Sequence, residues 1–191
     1  MVETDLYRIL YGKRLGKKDI DVLVQKILPL PKLVGVLIHV IFEQDRSKDN
    51  LNACWVFDHL MRKDLDLLLP YINELIPKLP LITWETTMRP IARILEGLNH
   101  AYFIKKTPKY LQAVSYLHQE IMAEVLFDWL IGNHKVATQV FAMTNLFYLG
   151  EKFDWIRPEL QSTIEKNMPN GSAGFKNRGA KILVKLKNLG Y

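Results

Sequence analysis

Apolar residues recur at intervals of three and four through most of this chain, and no stretch sustains the strict alternation of a half-buried strand. From Tyr110 onward they fall at Leu111, Val114, His118, Ile121, Met122, Val125, Trp129 and Leu130. Thr107 followed by Pro108 supplies that helix with a cap and a first residue. Asp154 opens WIRPELQSTIEKNM, with Pro158 in the first turn, where a missing N–H costs least. Asp49 or Asn50 reads as the start of LNACWVFDHLMRK. Pro70, Pro77, Pro80 and Pro90 cut the middle of the chain into short helices or kink them. The one Asn-Gly pair, Asn170-Gly171, lies between two helical patterns, so it signals no hairpin. These patterns predict an all-α chain. No linker or low-complexity tract divides residues 1–191, which points to a single domain.

The helices repeat a motif. NACWVFDHL, MRPIARILEGL, VATQVFAMTNLFYL and FKNRGAKILVKL each set a small alanine ahead of bulky apolar residues. Their alanines, Ala53, Ala92, Ala142 and Ala180, are 39, 50 and 38 residues apart. Each later segment follows another amphipathic stretch, and helix pairs recurring at about 40–47 residues mark HEAT and armadillo arrays. One pair cannot bury its apolar face alone, so neighbours must stack in sequence. EVLFDWLIGNHKVATQVFAMTNLFYL, with its short polar turn GNHK, resembles a HEAT repeat. The resemblance covers roughly residues 20–190 and implies a right-handed α-α superhelix of about four HEAT-like pairs.

The order of elements also resembles short bacterial HEAT-like proteins related to the DNA-alkylation-repair (alkylpurine glycosylase) superfamily. That resemblance implies a tryptophan and an aspartate on one helix face, holding a cationic damaged base with arginines nearby. In CWVFDHL, Trp55 and Asp58 stand three apart and share a face. Arg62, Arg89 and Arg93 are the matching phosphate contacts, and Trp84 is a second aromatic. Proteins of this appearance are sometimes labelled adenylosuccinate lyase. MPNGSAGFKNRGAK keeps only the Met-Pro of that enzyme's signature loop, so the label is not supported.

Charge adds a partner signal. All twenty acidic residues lie at or before Glu165, where they balance twenty basic ones. The last 26 residues hold Lys166, Lys176, Arg178, Lys181, Lys185 and Lys187 and no acidic residue, so the whole net charge of +6 sits there. A one-sided basic segment points to an anionic partner. Within PNGSAGFKNRGAKILVKL, two glycines and a helix start at Ser172 could cradle phosphate, or could merely connect two helices. The match to GxxxxGK[ST] is missing and no strand precedes it, which excludes an NTP-type loop. Phe175, Gly179, Ile182, Leu183 and Leu186 form the inward face. Arg178, Lys181 and Lys185 share one flank, and Lys176 and Lys187 the other.

No catalytic set emerges from spacing. Cys54 is the one cysteine, which excludes an internal disulfide, and the five histidines include no HxxxH. Glu120, Glu124 and Asp128 form a helical stripe with no second set of ligands, so neither a metal nor a cofactor is implied. The amino-terminal stretch lacks a signal-peptide pattern, and the longest apolar run falls well short of a membrane span. The expectation is a cytoplasmic binding module without membrane contact. Its partner would be nucleic acid, another anion, or a protein, met through Lys176, Arg178, Lys181, Lys185, Arg89, Arg93 and Ser172. The alternatives are an alkylation-repair-like glycosylase using Trp55 and Asp58, and a purely structural scaffold.

Overall fold

The computed structural model describes residues 1–43 and 52–191, all helix, turn or loop without a strand among them. The helix start expected at Asp49 or Asn50 lies outside the described residues. Eleven α-helices are described: α1 (Glu3–Leu10), α2 (Lys17–Ile27), α3 (Leu33–Glu43), α4 (Asn52–Lys63), α5 (Ile72–Leu75), α6 (Glu85–Asn99), α7 (Pro108–Ala113), α8 (Tyr116–Ile131), α9 (Val136–Leu149), α10 (Ile156–Asn167) and α11 (Ala173–Asn188). Short 3₁₀ segments flank α5 at Leu65–Tyr71 and Ile76–Leu81, and a π-helical turn, His100–Ile104, follows α6. Pro70, Pro77 and Pro80 fall in the 3₁₀ segments, whereas α6 continues through Pro90. Among the described residues no helix is long and apolar enough to cross a membrane.

The chain gathers into two compact units, Met1–Ile94 and Leu95–Tyr191. In unit 1 the apolar helix α3 (LVGVLIHVIFE) buries seven of its residues against α1, α4 and the first 3₁₀ segment. A helix apolar around most of its girth must be central, because no face of it suits water. Helix α4 also packs on α2, burying Ala53, Val56, Phe57 and Leu60.

In unit 2 helix α9 touches α8, α10 and α11, and α11 packs back on α10. Asn99 donates from Nδ2 to Asn145 Oδ1 at 2.8 Å, both fully buried, and Asn145 Nδ2 donates to the Phe141 carbonyl at 2.9 Å. The GNHK turn joins α8 to α9 as expected.

Three local readings need correction. The helix expected across residues 108–131 breaks at Val114–Ser115, because Ser115 Oγ accepts the His118 N–H and His118 Nδ1 accepts the Ser115 N–H, both at 3.2 Å. That reciprocal pair caps a new helix. Asp154 is not the cap of α10, which starts after Trp155 and carries Pro158 as its third residue. Ala53, Ala92 and Ala142 are fully buried, but Ala180 is exposed and Leu183 only partly covered. The close approach there belongs to Gly179, where an added Cβ would lie 2.9 Å from Ile164 Cγ2 and 3.0 Å from Met168 Sδ.

Candidate functional site

Helix α4 presents Asn52, Trp55, His59 and Arg62 at spacings of three, four and three, which places them along one side of the helix. They wall a cavity of about 380 Å³ together with Arg14, Leu15, Lys17, Ile20 and Arg93. None of these lining residues is acidic. Four permanent cations and an indole therefore border one space.

The loop between α1 and α2 carries Arg14 and is held in place by α4. Asn52, 4% exposed, donates from Nδ2 to the carbonyls of Leu10 and Lys13, each at 3.1 Å, and accepts the Leu15 N–H at 2.9 Å. The asparagine side chain satisfies three groups of a loop that has no ladder of its own. At the loop's end Asp19 Oδ2 accepts the Gly16 N–H at 3.0 Å, which fixes the start of α2 and so the base of Lys17.

Asp58 lies one turn beyond Trp55 on α4. Its side chain is 2% exposed; Oδ2 is 3.1 Å from Arg62 Nη2 and 3.8 Å from Arg93 Nη1. Its Oδ1 is buried without a hydrogen-bond partner among the described residues. The carboxyl pKa is raised: burial pushes it up, and Arg62, Arg93, His59 and Arg89 pull it part of the way back. Burial wins because both ion-pair partners are about two-fifths exposed, so water screens much of their field.

Trp55 is half-buried, with Arg89 above its ring at 6.0 Å and His59 edge-on at 6.3 Å. His59 Nδ1 meets Asp21 Oδ1 at 3.2 Å, and a second cavity of about 580 Å³ continues past His59 and Arg62 toward Asp21 and Lys63. Cys54 is fully buried, and that burial pushes its thiol up to about 12, far from thiolate chemistry.

Trp55, Asp58, Arg62, Arg89 and Arg93 thus stand near one another. Trp55 borders the cavity, whereas Asp58 is buried. Trp84 is exposed. Sequence reasoning missed Arg14, Lys17 and Asn52. The signal was faint: Lys13, Arg14, Lys17 and Lys18 crowd one short loop and the first turn of α2, but only tertiary structure brings part of that stretch to α4.

The carboxyl-terminal stretch joins two helices. Gly171 N–H bonds to the Met168 carbonyl at 3.2 Å as α10 ends, and the Ser172 hydroxyl accepts the Phe175 N–H at 3.3 Å, capping α11. Arg178 is turned inward: it lies 3.6 Å from Glu96 and donates to the Thr144 hydroxyl. Lys185 rests over the Phe147 ring at 5.3 Å, and Lys176 and Lys181 are exposed. Among the described residues no group of three or more His, Cys, Asp or Glu side chains could hold a metal, the stripe Glu120, Glu124 and Asp128 included.

Comparison with protein-family models, with curated proteins and with solved structures gives no match. The class defined directly is an all-α protein with a cationic, tryptophan-walled cavity; the HEAT-like and alkylation-repair readings rest on the sequence patterns.

Proposed function

We propose that this chain is a non-catalytic binding module of serially stacked, HEAT-like helix pairs that takes an anionic partner, nucleic acid foremost, at the cavity of unit 1. One observation carries the reading. Arg14, Lys17, Arg62 and Arg93 border about 380 Å³ beside an indole, with no acidic lining residue. Clustered cations beside an aromatic ring suit phosphate groups and a stacked base together. The clasp made by Asn52 supports it further, because a loop cation held in place before binding loses less freedom on contact. The contacts of α9 with α8, α10 and α11 support serial stacking.

The glycosylase reading draws less support. Stabilising a cationic base requires an accessible carboxylate, and Asp58 is buried with Oδ2 facing two arginines.

The experiment is a titration of labelled DNA, duplex and single-stranded, at ~50 mM and ~200 mM salt, with the double variant Arg14→Glu and Lys17→Glu alongside. Binding that falls steeply with salt and drops at least tenfold in the variant is the expected outcome. A wild-type chain with no affinity at the lower salt would leave the scaffold reading in place.

A further inference from the structure

Unit 2 holds an arginine arranged for a ligand. The Arg157 guanidinium lies 5.7 Å from the centre of the Phe147 ring and 5.9 Å from that of Tyr191. Lys185 Nζ stands over the same Phe147 ring at 5.3 Å. Arg157 Nε is buried without a hydrogen-bond partner, and neither Arg157 nor Lys185 has an ion-pair partner among the described residues. The stem of Arg157 passes over Gly150, where an added Cβ would fall 2.5 Å from its Cγ. Two cations therefore converge on one aromatic ring, against their mutual repulsion, with no carboxylate in ion-pair contact with either among the described residues.

The neighbourhood extends this cluster into a track. Lys181 is exposed one turn before Lys185 on α11, and Tyr148 is half-buried beside Phe147 on α9. Farther along the same flank, Arg178 is occupied by Glu96 and Thr144 and serves to fix α11 against α9. α11 itself carries no acidic side chain, and Glu96, whose charge is felt at Tyr148, pairs with Arg178.

We propose that this seam, where α11 and the start of α10 meet α9, is a second binding site, for single-stranded nucleic acid. A planar fork held between rings matches a phosphate bidentately. Lysines repeated at one-turn spacing suit a charge that also repeats, as along a phosphodiester strand. Aromatic rings interleaved with cations offer bases a stacking surface. The site shares no residue with the cavity of unit 1, so it stands whether or not that cavity binds.

The test is fluorescence anisotropy with the full chain and a labelled oligothymidylate of ~16 nucleotides at ~50 mM salt. All measurements are made in the Arg14→Glu, Lys17→Glu background, to silence unit 1. Arg157→Gln and Lys185→Gln should each weaken binding about 3- to 10-fold and reduce the salt slope by ~1. Lys166→Gln on α10 should stay within about twofold. Gly150→Ala keeps every charge and displaces Arg157, so it should also weaken binding, with circular dichroism reporting that the helices persist. The proposal is overturned if the Arg157 and Lys185 variants bind like their parent, or if the parent does not bind. It is equally overturned if polyphosphate, which has no bases, displaces the strand as readily as unlabelled oligothymidylate.

Discussion

Asp58 Oδ2 lies 3.1 Å from Arg62 Nη2, yet the two side chains live in different solvents: the carboxylate is 2% exposed and the guanidinium 41%. The pair therefore does not balance. The carboxyl pKa is raised, so the native chain holds its proton more tightly than the unfolded one. Stability from this group is greatest at low pH and declines as pH climbs from the ordinary carboxylate range through the raised value. Asp58→Asn should thus be at least as stable as wild type at neutral pH, with a flatter stability profile above about pH 4 in urea melts. It should also free Arg62 and Arg93 toward the cavity and tighten anion binding by roughly fivefold, ~1 kcal/mol. A glycosylase using Asp58 would instead lose base release in this variant.

Asn52→Ala removes three hydrogen bonds at once and strands the carbonyls of Leu10 and Lys13 and the N–H of Leu15. A cost of about 1–3 kcal/mol in denaturant unfolding is expected, since the buried Leu10 carbonyl is left unmet while water can reach the part-buried Lys13 and Leu15 groups. Anion affinity should fall too, although Asn52 carries no charge. A variant that keeps wild-type affinity would mean that the loop needs no clasp.

His118 accepts the Ser115 N–H through Nδ1, which requires the neutral ring, and burial lowers its pKa below 6.5. Below that value the unfolded chain takes up the proton more readily than the native one. The contribution of His118 is therefore full above about pH 6.5 and is lost as pH falls through the lower native pKa. Urea unfolding between about pH 7.5 and about pH 5 should show this loss, and His118→Gln should flatten it.

Gly179→Ala sets a gain in helix propensity of ~1 kcal/mol against crowding of Ile164 Cγ2 at 2.9 Å. Overpacking usually costs about 1–3 kcal/mol, so a net loss near 1 kcal/mol is expected in thermal or urea melts. Ala180→Gln, on the exposed neighbour, should move stability by no more than ~0.5 kcal/mol.

Much of the helical content was legible because apolar spacing and proline placement are local signals. The GNHK turn, the Ser172 cap and the inward residues Phe175, Ile182 and Leu186 could all be read from their neighbours in the chain. What escaped was competition between local options. Ser115 could continue a helix or cap one, and only the reach of His118 decides it. Gly179 and Ala180 are both small, and one residue of register determines which meets α10. On α4 and α6, Trp55, Arg62 and Arg93 were named through the alkylation-repair resemblance, and the cavity they border was not foreseen. Arg14 and Lys17 were not named, because only tertiary structure brings their part of the chain to α4, where Asn52 holds Leu10, Lys13 and Leu15 across 37 to 42 residues of sequence.

The Asn99–Asn145 contact carries a consequence of its own. Two amides sealed from water are linked to each other and to Phe141, with one oxygen, Asn99 Oδ1, unmet among the described residues. Sliding either helix by a turn would break both links and strand further polar atoms in oil, so the pair favours one alignment. Replacing both with leucine should keep unit 2 folded yet blur its nuclear magnetic resonance spectrum, as neighbouring alignments become nearly equal in energy.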